Sequence, residues 1–153
     1  MDTIVATVLV VCVTLVAALA VSGLVFAVLG GSRDAPGVAV TGVALVATDF
    51  TSGGTGDTFT CTSGVSGSYL KLSNTGTGSA FVEGVVLTWA GGSSGFTPVG
   101  SCPIDASGSP TSNTYLEFTP GARMAVDAVE GQAFTGTVTL SDGAQLLLTG
   151  TWA

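Results

Sequence analysis

Histidine is absent from the chain, which removes the commonest general base, proton shuttle and imidazole metal ligand together. Basic residues are scarce. Arg33, Lys71 and Arg123 are scattered, and they stand against ten acidic residues for a net charge of −7. Three cations cannot neutralise a run of phosphates, so nucleic acid is excluded as a partner. Charged residues of both signs make up only 8% of the sequence against 46% hydrophobic ones, the reverse of a disordered tail. Cysteine occurs three times. Cys61 and Cys102, the two outside the N-terminal run, make a poor zinc site without histidine. Neither Asn74 nor Asn113 opens a sequon, which excludes standard N-glycosylation.

What is there begins with an apolar run from Thr3 to Leu29 that contains no charged residue. Its apolar side chains go all the way round a helical wheel, so every face must be covered by lipid or by other helices. As one helix it would be roughly 40 Å long, more than a hydrocarbon core of about 30 Å. Asp2 and Thr3 suit the helix start, and Gly30-Gly31 its end. Small residues recur in two rows, Thr14, Ala18 and Ser22 in one, Gly23, Ala27 and Gly31 in the other. Such rows let helix backbones approach closely. An ordinary membrane-spanning helix has similar Ala and Gly content, so spacing alone leaves lipid and helix partners both open.

The remaining residues have room for one domain of about 120 residues with a single core. Gly30, Gly31, Pro36 and Gly37 read as hinge positions, with residues 32–37 as the hinge proper. From Val38 a β-branched run to Phe50 reads as a buried first strand, with a helix continuing through Val46 as the competitor that Pro36 and Gly37 oppose. Further strands are expected over 58–62, 68–73, 80–89, 114–118, 123–129, 133–140 and 144–152, separated by Gly, Ser, Asn, Asp or Pro. Ser141-Asp142-Gly143 reads as a two-residue hairpin turn with positive φ at Asp and Gly. Tyr69, Phe81, Trp89, Phe118, Phe134 and Trp152 are the expected core aromatics. The expected class is therefore α+β: a long hydrophobic helix over 1–31, a hinge over 32–37, and an all-β sandwich over 38–153. Cys12 reads as a small apolar helix residue. Cys61 and Cys102 are either a disulfide closing a loop of about 40 residues in an oxidising compartment, or two buried thiols.

No catalytic constellation emerges. Asp49, Asp57, Glu83, Asp105, Glu117, Asp127, Glu130 and Asp142 are spread singly, which fits solvated surface charge better than a paired acid and base. Ser52 to Gly56 is glycine-rich but no Lys-Ser/Thr follows it, so it reads as a turn and not a phosphate loop. Asp105 to Ser109 lacks the terminal glutamate of a calcium loop. An enzyme, a cofactor and a metal are thus not expected. The exposed Ser/Thr stretches 51–58, 93–97 and 107–114 are open to O-linked sugar.

The uncharged N-terminal run, the glycine hinge and the strand-rich domain together resemble the archaeal type IV pilin and archaellin superfamily. The resemblance is carried further by residues 69–85, a strand, an Asn74-Thr75-Gly76 turn and a returning strand, and by residues 134–143, a closing hairpin. It implies an Ig-like β-domain and a repeating subunit of an extracellular helical filament used for surface adhesion and cell contact. The archaellum, a motility filament, is the near alternative. The implied partners are further copies of the chain, the membrane before assembly, a prepilin peptidase, an assembly platform, and host or abiotic surfaces. The family's short basic leader is not present before the apolar run, which implies a mature chain. Val5 stands where bacterial type IV pilins usually carry glutamate, which points to the archaeal branch. A different class of reading is a monomeric surface-binding domain tethered by one transmembrane helix.

Overall fold

A computed structural model describes residues 3–15, 17 and 36–153. The chain forms two compact units, Met1–Asp34 and Ala35–Ala153. The expected α+β class with a long hydrophobic helix is corrected. Strand makes up 48% of the described residues against 13% helix, and the described helix, α1 over residues 3–15, is about 13 residues long. At 1.5 Å per residue α1 measures about 20 Å, well under a bilayer core of about 30 Å. No helix among the described residues is long and apolar enough to cross a membrane. Hydropathy reports how much cover a run needs, not how far it is helical.

The β-domain contains eleven strands: β1 Val38–Ala44, β2 Phe50–Thr51, β3 Thr58–Thr62, β4 Tyr69–Asn74, β5 Ala80–Trp89, β6 Gly92–Pro98, β7 Pro103–Ile104, β8 Asn113–Phe118, β9 Ala122–Arg123, β10 Ala133–Leu140 and β11 Gln145–Thr151. Eight of them follow one hydrogen-bonded path, β1-β4-β8-β3-β6-β5-β10-β11. Neighbours along it are antiparallel, except that β3 and β6 run parallel through Thr58↔Thr97 and Phe59↔Pro98. The two ends of the path also meet. Ala153 N–H donates to Leu45 O at 2.9 Å and Ala47 N–H to Ala153 O at 2.8 Å, the staggered pattern of a parallel pair. Two four-stranded antiparallel sheets are thereby joined along both seams into a flattened barrel, which leaves less unpaired edge than two open sheets would.

Alternation creates the core. In β5 the buried residues Val82, Val85, Leu87 and Trp89 face inward, with a register shift near Gly84 restoring the phase. Phe50, Phe59, Phe96, Phe118, Phe134 and Trp152 are each at most 2% exposed. Their rings meet across the barrel: Phe50 lies 5.4 Å from Phe118 and 4.8 Å from Trp152, and Phe134 4.6 Å from Trp152. Offset and edge-on contacts of this kind add to plain area burial. Tyr69 and Phe81 are not core residues as expected. Tyr69 is half-buried against Tyr115 on the outside, and Phe81 is 47% exposed. Both occupy outward positions in their strands, where aromaticity does not outvote the pleat.

Three other local expectations change. Residues 123–129 form a strand only at Arg123. Beyond it the chain is a strap held by Met124 N–H to Thr51 O and Ala128 N–H to Phe50 O. Strand β6 arises in a Gly/Ser-rich stretch of poor β propensity because it pairs with β5 from Val85↔Phe96 to Trp89↔Gly92. The β10–β11 loop is a three-residue connection, not a two-residue one. Gly143 N–H bonds Leu140 O, Leu140 N–H bonds Ala144 O, and only Gly143 takes a positive φ, 83°. That is a turn followed by a left-handed glycine.

Candidate functional site

Helix α1 is the most unusual surface described. Ile4, Val5, Val8, Leu9, Val10, Val11, Val13 and Leu15 are all between 50% and 67% exposed. These positions cover every face of a 3.6-residue helix, so no side of α1 is polar. Its hydroxyls do not make one either: Thr7 Oγ1 donates to Thr3 O at 2.7 Å and Thr14 Oγ1 to Val11 O at 2.9 Å. Hydroxyls folded back onto their own turn need no outside partner. A shallow apolar groove runs along Ile4, Val5, Val8, Leu9 and Cys12, and Cys12 is a free, exposed thiol. Of the expected packing positions, Thr14 is exposed on α1. Ala18, Ser22, Gly23 and Ala27, like the hinge glycines Gly30 and Gly31, lie outside the described residues.

Gly37, one of the expected hinge positions, is hydrogen-bonded into the β-domain. Its N–H donates to Asn74 Oδ1 at 2.9 Å, and its carbonyl accepts Thr75 N–H at 3.1 Å. A Cβ on Gly37 would stand 2.9 Å from Gly76 N, so only glycine fits the approach. Pro36 beside it is half-buried. Asn74 is the centre of this clamp and is 2% exposed. Its Oδ1 also accepts Gly76 N–H, and its Nδ2 donates to Gly78 O and Ile104 O. A buried amide with all four valences used locks the β4–β5 turn, the domain entry and β7 together.

Cys61 and Cys102 are joined as a disulfide with Cα atoms 5.5 Å apart. It ties β3 to the loop before β7 and closes the long connection between them.

Four carboxylates serve as separate loop staples. Asp49 accepts the buried Ser68 hydroxyl at 2.6 Å, Glu117 accepts Ser66 Oγ at 2.7 Å, and Asp105 accepts Thr111 Oγ1. Asp127 Oδ1 accepts Ser52 N–H at 2.5 Å. The Ser52 backbone and hydroxyl hold the Asp127 carboxyl below its ordinary value of 3.8. Hydrogen bonds to the ionised form act in that direction. No group of three His, Cys, Asp or Glu among the described residues is placed to hold a metal. A polar cleft of about 400 Å³ brings Arg123 and Asp57 beside Ser52 and Ser94. Ser94 Oγ already accepts Ala125 N–H at 3.2 Å, and the cleft pairs no nucleophile with a base.

No protein-family model matches the chain, and no curated protein matches it either.

The sequence does not single out the outer face of β6, β5, β10 and β11, where Leu147 is 81% and Val86 44% exposed. The sequence signal for it is the absence of any charged residue from 84–98, 133–140 and 143–151.

Proposed function

We propose that the chain is a structural subunit of an extracellular helical filament, held together by its apolar N-terminal segment and coated by its β-domain. The observation that carries this is α1, a helix with large apolar side chains at least half exposed on every face. Water opposes such a surface, and apolar area of that extent marks an interaction site. In this reading the partner is the same segment of further copies, and Thr14, exposed on α1, supplies a small contact for close helix packing. A head-to-tail contact that does not close produces a filament and not a ring. Before assembly the bilayer shelters the uncharged run, and a prepilin-type peptidase and assembly platform deliver it to the polymer. A disulfide-stapled outer domain suits an oxidising exterior. Adhesion to host or abiotic surfaces and to other cells is the task such a fibre serves. A motility filament is the same architecture put to another use.

Electron microscopy of the purified chain tests this. Thin fibres on the order of ten nanometres or less across are expected, given helices about 1 nm wide and one small domain outside them. Discrete particles that never join, each with its apolar segment in detergent or lipid, would leave only a tethered monomer.

A further inference from the structure

The outer faces of the two sheets differ in charge. On the β1-β4-β8-β3 side Lys71 lies over the Tyr115 ring at 5.5 Å and Glu117 binds Ser66. On the β6-β5-β10-β11 side the strands carry no charge from Gly84 onward. Its charges stand at the margins: Glu83 and Asp142 where β5 shifts register and the β10–β11 hairpin turns, and Asp57 and Arg123 at the cleft beside Ser94 and Gly95 of β6.

Register places the outward side chains of this second face in transverse rows. Ser93, Thr88, Thr135 and Thr149 form one, and Gly95, Val86, Thr137 and Leu147 the next. Neighbouring strands are about 4.8 Å apart, and alternate residues along a strand about 6.8 Å. The result is a surface of threonine methyl and hydroxyl groups with Leu147 as its most protruding apolar side chain.

We propose that this face packs against the β-domain of a second copy of the chain. Every molecule carries a net charge of −7, so most approaches oppose or desolvate carboxylates, and both cost free energy. The uncharged face is where a like-charged neighbour meets neither penalty. Methyl groups and Leu147 supply apolar burial, and the hydroxyls pair across the contact or with trapped water. Its size fits a tethered partner better than a free one. Four strands by five or six residues cover roughly 400 Å² per copy, or about 800 Å² in total, below the roughly 1,200 Å² of a stable free-standing complex. The contact thus rests on the filament reading for the tether, because effective concentration makes a small contact count.

The test places a photo-crosslinker on the face. The full chain with Leu147→Cys in a Cys12→Ser background is labelled with benzophenone maleimide and irradiated, both as fibres and as concentrated detergent-dispersed chain. Thr41→Cys, exposed on β1 of the other sheet, is the control. Covalent dimer yield at least five-fold higher from position 147 than from position 41 is expected, and Thr137→Glu should bring it down to the control level. Equal yields from the two positions in both preparations would overturn the contact. If fibres form and position 147 shows no preference, the contact alone falls. If no fibres form but position 147 still crosslinks preferentially, the contact stands and the filament falls.

Discussion

Helix α1 and the β-domain use the same apolar residues and treat them oppositely. Val8 and Leu9 in α1 are 57% and 61% exposed, whereas Val85 and Leu87 in β5 are 1% and 0% exposed. The difference lies in pattern and not in composition. Alternation with period two gives each strand one inward face, and two sheets joined at both seams close over it. Apolar residues at every position of a helix leave it no polar side, so its cover must come from a partner. The β-domain is complete in its core, and α1 is a surface in want of a neighbour.

A single charge in α1 should separate the two regions most sharply. Val8→Asp puts a carboxylate into the segment that assembly would bury, where an unpaired charge is severely penalised. Fibres should be lost in electron micrographs, while the thermal midpoint of the β-domain stays unchanged. The reverse dissection is Phe50→Ala, which empties the meeting point of Phe96, Phe118 and Trp152. It should cost about 3–5 kcal/mol in denaturant unfolding of the domain. Replacing both Cys61 and Cys102 by Ala should cost about 3–4 kcal/mol on the loop-entropy estimate, with reducing agent shifting the unmutated chain in the same direction.

Asn74→Ala strips four hydrogen bonds from a buried clamp and leaves Gly37 and Gly76 N–H groups without their acceptor. About 2–3 kcal/mol of domain stability should go with it. The smallest effect is at Asp127. Its folded value is depressed by Ser52, so its contribution is present above the ordinary aspartate value of 3.8 and is lost as pH falls through the lower folded one. Thermal melts across that acid range should show this slope in the natural chain, and Asp127→Asn should flatten it.

Much of the β-domain was legible in the sequence because its strands alternate. β3, β5 and β10 appear at the expected bounds, and Trp89, Phe118, Phe134 and Trp152 are where an inward face puts them. What failed to show was whatever depends on a partner strand. β6 carries little β propensity of its own and exists through pairing with β5, and the seams at β3–β6 and Leu45–Ala153 join residues far apart in the chain. Phe81 and Tyr69 looked like core because they are aromatic, yet their place in the pleat points them outward. The disulfide was one of two alternatives from spacing, and only the 5.5 Å Cα separation selects it. The long helix was read from hydropathy, and the described helix covers residues 3–15. Asn74 was visible only as part of a turn, since its other partners, Gly37 and Ile104, come from distant segments.

Cys12 offers the most direct check on whether α1 is covered by its own kind, because it is the one free thiol and lies on that helix. A nitroxide attached there should give an electron spin resonance spectrum broadened by neighbouring labels in the purified material, since packed helices lie about 8–10 Å apart. The broadening should vanish as labelled chain is diluted with Cys12→Ser chain. Sharp, non-interacting spectra at every dilution would mean that the helices never come together.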